Sequence, residues 1–336
     1  MKLKSLFAGV FSLGLLLANA GHAAEIREQT FRFSLQPPKG TSQYEGSKRF
    51  ADLVHEKSKG KMTVKVYEGG TLGNDAAALS ALQGGTIHFL LTWTGNISSI
   101  DKSFSIFDFP FIFTSYEQAD KVVDGPVGAK LFAKLPAKGL RGLSYAELGF
   151  RHIHNYRRPI NKAEDIEGLK IRVPNSALYT EFMNTLGANG LPLPFTELFS
   201  ALETKAVDGA TNPTDNIVST KIYETQKYLS LTRHMYGVMA FVMSGKAWDK
   251  LNDDERGVIM AAAREAGVYQ RKVSREIDVA NTEFLKKHLK VNEVPAAELA
   301  KIRDKSKPVV DKWSKEVGTD LYNELLAEVK KAESPK

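Results

Sequence analysis

Met62-Thr-Val-Lys-Val-Tyr67 alternates apolar and polar side chains, turns through Gly69-Gly-Thr-Leu-Gly73 and enters an Ala-rich helical stretch from Asp75 to Gln83. Thr86-Ile-His-Phe-Leu-Leu91 then reads as the next strand. Upstream, Phe31-Arg-Phe-Ser-Leu35 alternates in the same way until Pro37-Pro-Lys-Gly40 breaks it. Tyr44 to Lys57 then sets Phe50, Leu53 and Val54 on one helical face. Period-two strands separated by helices, with short connections, predict β-α-β units and an open α/β sheet. In such sheets ligands bind where loops leave the carboxyl ends of the strands.

The pattern recurs further on. Strands are expected at Leu140–Glu147, Leu169–Val173 and Ala206–Ala210, with helices at Ser176–Leu186 and Thr196–Lys205 and a later apolar strand at Met239–Met243. Asn252 with Glu255 forms a capping box. From there to Leu289 only the tolerated Gly257 and Gly267 interrupt a helix far longer than average, which is expected to run across more than one domain. Pro308 is expected to interrupt the C-terminal helical region, and Glu333-Ser-Pro-Lys336 reads as a frayed tail.

Two domains suit a chain of 336 residues. The absence of Cys excludes disulfide scaffolds, Cys-ligated metals and thiol nucleophiles. Met1-Lys-Leu-Lys4, an apolar run from Leu6 to Ala18 and small residues at Ala18-Asn-Ala20 and Gly21-His-Ala23 read as a signal peptide over residues 1–24, cleaved between 20 and 24. Export to the periplasm follows, with no membrane insertion of the mature chain. The formal charge of +7 invites a nucleic-acid reading. Lys and Arg are interleaved with Asp and Glu, however, as in Lys48-Arg49…Asp52…Glu56-Lys57, and form no basic stripe with stacking aromatics, so nucleic acid is set aside.

Signals for catalysis are weak. His152 and His154 share a strand face without a third ligand-rich segment, so a structural role is favoured over a metal pair. The Gly69–Gly73 turn lacks the features of a P-loop or a dinucleotide fingerprint, and no Gly-x-Ser-x-Gly elbow occurs. The Phe-rich run Phe104–Phe113 reads as a buried crossing between lobes. No catalytic residue, metal or cofactor is expected; an exported hydrolase or lyase is the competing class.

Binding signals are stronger. Arg151 lies in Gly149-Phe-Arg-His-Ile-His-Asn155, and Arg172 is centred in the strand Leu169-Lys-Ile-Arg-Val-Pro174. A guanidinium in a buried or cleft-facing strand requires an anion, and its planar fork matches a carboxylate. The anion could be a ligand or a neighbouring Asp or Glu.

These segments, with Asp108-Phe-Pro-Phe111, Pro194-Phe-Thr-Glu-Leu-Phe-Ser-Ala-Leu202, Val207-Asp-Gly209, Asn212-Pro213 and Tyr223-Glu-Thr-Gln-Lys-Tyr228, resemble the DctP-like extracytoplasmic solute-binding proteins of TRAP transporters. The resemblance covers nearly the whole mature chain. It implies a two-lobed periplasmic binding protein in which each lobe is an open α/β sheet. Crossing strands and a long lobe-spanning helix would join the lobes, with a ligand cleft between them. The first lobe is expected over about 25–150 plus 238–275 and the second over about 151–237 plus 276–336. The resemblance also implies a monomer that captures a small organic acid and delivers it to the small and large membrane subunits. Arg172 takes the place of the family's principal carboxylate contact and Arg151 that of a second cationic contact. Asn212 and Phe195 occupy places that line family clefts.

Trp93 stands where sialic-acid-binding relatives carry an acidic residue, and offers either a platform for a sugar or lobe packing. Gln36, Asn74 and Asp75 offer polar contacts. Asp215 either accepts from a ligand hydroxyl or caps a helix starting at Asn216. The expected ligand is a hydroxylated sugar acid such as an aldonate or uronate, with a C4-dicarboxylate or an aromatic or keto acid as the alternative.

Overall fold

A computed structural model describes residues 25–333 of the chain. The signal peptide expected over residues 1–24 and the last three residues of the expected tail lie outside that range.

Among the described residues nine strands form one mixed sheet: β1 (Gln29–Leu35), β2 (Met62–Tyr67), β3 (Phe89–Trp93), β4 (Leu140–Asn155), β5 (Lys170–Val173), β6 (Asn189–Pro192), β7 (Gly209–Asn212), β8 (Tyr228–Ser244) and β9 (Lys290–Glu293). The order is β2-β1-β3-β8-β4-β7-β5-β6, with β9 beside β8. β1 pairs in parallel with β2 and β3, and β5 with β6 and β7, as β-α-β connections require. The fold is two-lobed. β4 and β8 run antiparallel along nearly their whole lengths and join the two α/β halves. The C-terminal half of β8 pairs with β3, and its N-terminal end with β9.

Both crossing strands are longer than the alternation suggested. Register shifts between Gly142 and Ser144, between Glu147 and Gly149, and between Arg151 and Ile153 break the period-two pattern of β4. β8 is buried on both faces from His234 to Ser244 and therefore does not alternate. β3 begins at Phe89 rather than Thr86. The backbone N–H groups of Thr86 and Ile87 both donate to Ala81 O and so belong to the preceding helix end.

Asp253–His288 is one helix of 36 residues opened by the expected capping box: Asn252 Oδ1 accepts from Glu255 N, and Glu255 Oε2 accepts from Asn252 N, each at 2.9 Å. It packs against the helix Ser42–Lys57 and against β4.

Pro308 does not interrupt its helix, which runs from Ala296 to Val317. Pro308 and Asp304 are both exposed, so water can serve the Asp304 carbonyl that the proline leaves without a donor. The final helix, Thr319–Glu333, packs on Tyr116–Val123 and Pro126–Lys134, burying Leu325 and Val329 in the cluster that holds Phe104, Phe107, Phe109 and Phe113. Those phenylalanines and the final helix thus share one core cluster.

Candidate ligand-binding site

Strands β4, β5 and β7 contribute residues to one cavity of about 140 Å³. Arg172 on β5 is in register with Ala210 on β7, and Asn212 at the end of β7 is in register with His152 on β4. The ladder thereby places Arg172, Asn212 and Arg151 side by side. From the other half, the last residue of β3, Trp93, and the segments after β1, β2 and β3, with Gln36, Asn74, Asp75 and Asn96, reach the same cavity.

Arg172 is buried, and its Nε and Nη2 both donate to Leu193 O, at 3.0 and 2.6 Å. Arg151 is also buried. Its Nε donates to Thr211 Oγ1 at 2.9 Å, its Nη2 donates to Thr211 O, and its guanidinium lies 5.3 Å from the centre of the Tyr179 ring. Neither arginine forms an ion pair among the described residues. Burial is the main cause that lowers the Arg172 pKa to about 9; Arg151 lowers it further, and Asp75 partly opposes both. Burial also lowers that of Arg151, against the pull of Tyr179 and Asp108. Two desolvated cations with no carboxylate in ion-pair contact among the described residues form a candidate anion site.

The rim opposite the arginines is polar. Asp75 Oδ1 accepts from Asn96 Nδ2 at 2.9 Å, and burial pushes the Asp75 pKa up to about 6 against the pull of Arg172 and Asn96. Gln36 Nε2 donates to Gly73 O at 2.9 Å, leaving its Oε1 buried without a partner. Asn216, also lining the cavity, has an unpartnered buried Oδ1. Asn74 caps the helix Asp75–Gly84 by accepting from Ala77 N at 3.1 Å, so its side-chain oxygen is engaged. Phe195 and Met239 add apolar wall.

Trp93 lines the cavity, but its indole is held on two sides. Nε1 donates to Asp108 Oδ1 at 2.8 Å, and the ring meets Tyr179 edge-on at 5.1 Å. Gly95 leaves room for it, since a Cβ there would lie 2.2 Å from the indole.

Asp215 is the expected site residue that does not reach the cavity. It sits inside the helix Thr214–Ser219, whose N-cap is Pro213, so it caps no helix start of its own. Its Oδ2 instead accepts from Ser42 N at 2.9 Å and Ser42 Oγ at 2.7 Å, at the first turn of the helix Ser42–Lys57. The pair is 173 residues apart in sequence, a proximity the local pattern could not reveal.

His152 and His154 are buried strand residues with pKa values pushed down to about 4, chiefly by burial. No His, Asp or Glu cluster suited to a metal ion occurs among the described residues. Sequence reading missed Asn96, Asn175 and Asn216 as cavity residues. Asn175 follows Pro174, and Asn216 lies one turn beyond Asn212-Pro213, so both adjoin motifs already singled out.

Comparison with known proteins identifies the family. The family model of DctP, bacterial extracellular solute-binding protein, family 7, matches residues 33–316. The 2,3-diketo-L-gulonate-binding periplasmic protein YiaO of Escherichia coli K12 is 36% identical over 276 residues, covering 82% of this chain and 83% of the relative. The C4-dicarboxylate-binding periplasmic protein DctP of Rhodobacter capsulatus is 31% identical over 334 residues, with 96% of each chain covered. The crystal structure of the sugar acid binding protein DctPAm from Advenella mimigardefordensis, in complex with galactonate, superposes with a TM-score of 0.90 at 41% identity and covers 92% of this chain and 100% of that one. The chain thus belongs to the DctP family of bacterial extracellular solute-binding proteins and is a TRAP-type solute-binding protein.

Proposed function

We propose that the protein captures a hydroxylated sugar acid in the periplasm and hands it to the membrane subunits of a TRAP transporter. The observation that carries this reading is the pair Arg151 and Arg172, buried, in no ion pair with a carboxylate among the described residues, and facing a rim of amide and carboxylate oxygens. The arginines suit one carboxylate. Gln36 Oε1, Asn216 Oδ1 and Asp75 suit the hydroxyls of a polyol chain. A second carboxylate would meet those oxygens unfavourably, which argues against a C4-dicarboxylate, although a relative carries that ligand in its name. The galactonate complex of the 41% identical structure supports the same choice.

Export through cleavage of residues 1–24, action as a monomer and the lack of catalytic turnover belong to the same proposal. No described helix is long and apolar enough to cross a membrane. Closure of the lobes follows binding, because the ligand bridges groups from both halves.

Titration calorimetry of the mature chain against galactonate, glucuronate and succinate tests the ligand. One-to-one binding of a sugar acid, tighter than succinate by a factor of ten or more, is expected. Preferred binding of succinate overturns the ligand assignment. Mass spectrometry of the recovered ligand separates binding from turnover: intact acid is expected, and conversion would favour a hydrolase or lyase.

A further inference from the structure

Strand β8 bulges where it runs beside the middle of β4. Arg151 on β4 is in register with Met235, but the next paired residue, Ile153, faces Ser230. Leu231 to His234 of β8 therefore stand opposite His152 alone, and Arg233 N donates to His152 Nδ1 at 3.3 Å. Arg233 has a left-handed backbone, with φ 45°, and so has Phe111, with φ 55°. Phe111 N donates to His234 O at 2.9 Å and ties its own segment to the bulge. Neither an arginine nor a phenylalanine adopts this conformation freely, and such strain gathers at functional positions.

Both strained residues line a second cavity, of about 250 Å³, which shares no lining residue with the ligand cleft. Arg151 lines the cleft, whereas its neighbour Phe150 lines this cavity. Adjacent residues of a strand face opposite sides of a sheet, so the second cavity lies across the sheet from the first. Phe150 is buried, and the Arg233 guanidinium lies 3.9 Å from the centre of its ring. Leu299, Ala300 and Arg303, from the helix Ala296–Val317, supply another wall.

The protein leaves the two cations of this cavity free. Among the described residues neither Arg233 nor Arg303 makes an ion pair or a side-chain hydrogen bond. Arg303 has Leu299 and Ala300 one turn before it and Ser306 and Lys307 one turn after, so its own helix offers it no carboxylate. Glu298 and Asp304 pair instead with Lys301 and Lys307. Near Arg233, the Tyr116 ring lies 5.8 Å from the guanidinium, but its hydroxyl donates to Asp278, which also accepts from Thr214.

We propose that this cavity is a second ligand site, which takes a small carboxylic acid with a flat apolar body, such as an aromatic acid. The carboxylate meets the N–H groups of Arg233 and Arg303, and the body lies against Phe111, Phe150 and Leu299. A polyhydroxylated acid would lose its hydration against these carbon walls without replacement. The two sites thus accept different acids. The cleft surrounds its arginines with amides and a carboxyl, whereas this cavity surrounds them with aromatic and aliphatic carbon.

Methyl NMR of the mature chain titrated with benzoate tests the site, with Leu299 and Ala300 assigned by substitution. Saturable shifts at both, with a dissociation constant below about 5 mM, are expected, and their absence overturns the proposal. Met239 lines the cleft and reports binding there. Shifts at Met239 with none at Leu299 and Ala300 place benzoate in the cleft and also overturn the proposal. Benzamide keeps the ring and loses the charge, so it should bind about tenfold or more weakly. Equal affinity would mean that the arginines are not used. Arg303→Gln changes an exposed helix position, and Arg233→Asn keeps a residue that tolerates the left-handed backbone. Each should weaken benzoate about fivefold or more. Unchanged affinity in either folded variant removes the two-arginine site.

Discussion

Arg172 directs both Nε and Nη2 onto one backbone oxygen, that of Leu193, at 3.0 and 2.6 Å. The bond fixes the plane of the guanidinium without neutralising it. The positive charge is left for a ligand. Arg172→Ala should weaken binding of the preferred acid by about 2–5 kcal/mol, roughly thirtyfold to several thousandfold. Arg172→Lys should recover only part of that loss, because an ammonium cannot reproduce the planar fork. Calorimetry with galactonate measures both.

The same unpaired charge predicts a trade between binding and stability. The Arg172 pKa is about 9 in the fold, well below its ordinary value. Between those values the unfolded chain holds a proton that the folded chain has released, so this group's contribution to stability rises with pH across that window. Below about pH 9 the folded state carries the full cost of a buried cation. Arg172→Met should therefore raise the melting temperature of the ligand-free protein by a few degrees at pH 7 while abolishing ligand-induced stabilisation. Thermal melts with and without ligand separate the two effects.

Much of this was legible in the sequence, for identifiable reasons. β2 and the long helix were read with nearly their observed bounds because alternation and a capping box are local signals. Arg151 and Arg172 stood out because a guanidinium within an apolar strand conflicts with its surroundings. β4 and β8 were read short because bulges and two-sided burial erase alternation. Asp215 was misplaced because its partner, Ser42, is distant in sequence. Asn96 and Asn216 were missed because an amide conflicts with nothing until the fold encloses it.

Asp75 predicts the pH dependence of binding. Burial raises its pKa to about 6, above the ordinary value of 3.8. Between these values the folded state holds more protons than the unfolded one, so this group's contribution to stability falls as pH rises through the window. An anionic ligand nearby disfavours the ionised carboxyl further. Affinity for a sugar acid should therefore weaken roughly threefold to tenfold from about pH 5 to about pH 7.5. His152 and His154, at about 4, stay neutral across this range and add no slope. Asp75→Asn should flatten the profile measured by calorimetry.

Asp215 gives a structural prediction. Its carboxylate accepts two hydrogen bonds at the start of the helix Ser42–Lys57, and Asp215 does not line the cavity. Asp215→Ala should cost about 1–3 kcal/mol of stability by leaving Ser42 N and Oγ without their acceptor. The ratio of affinities among galactonate, glucuronate and succinate should stay as in the parent protein. A changed ratio would restore Asp215 to the ligand site.

Trp93 and Asp108 form a buried pair whose two members respond differently to substitution. Asp108 Oδ1 accepts from the indole at 2.8 Å, and Oδ2 has no partner. Burial raises the Asp108 pKa well above its ordinary value, against the pull of Trp93 and Arg151. Asp108→Asn keeps an acceptor for the indole and removes the cost of a buried ionisable group, so its unfolding free energy should change little or increase. Trp93→Phe removes the donor, leaves both carboxyl oxygens unpartnered and vacates space against Tyr179 and Gly95. It should cost about 1–3 kcal/mol for the lost hydrogen bond, with a further loss from the cavity. Denaturant unfolding separates the cases: equal losses in the two variants would mean that the charge on Asp108, rather than the indole bond, holds this wall of the cleft.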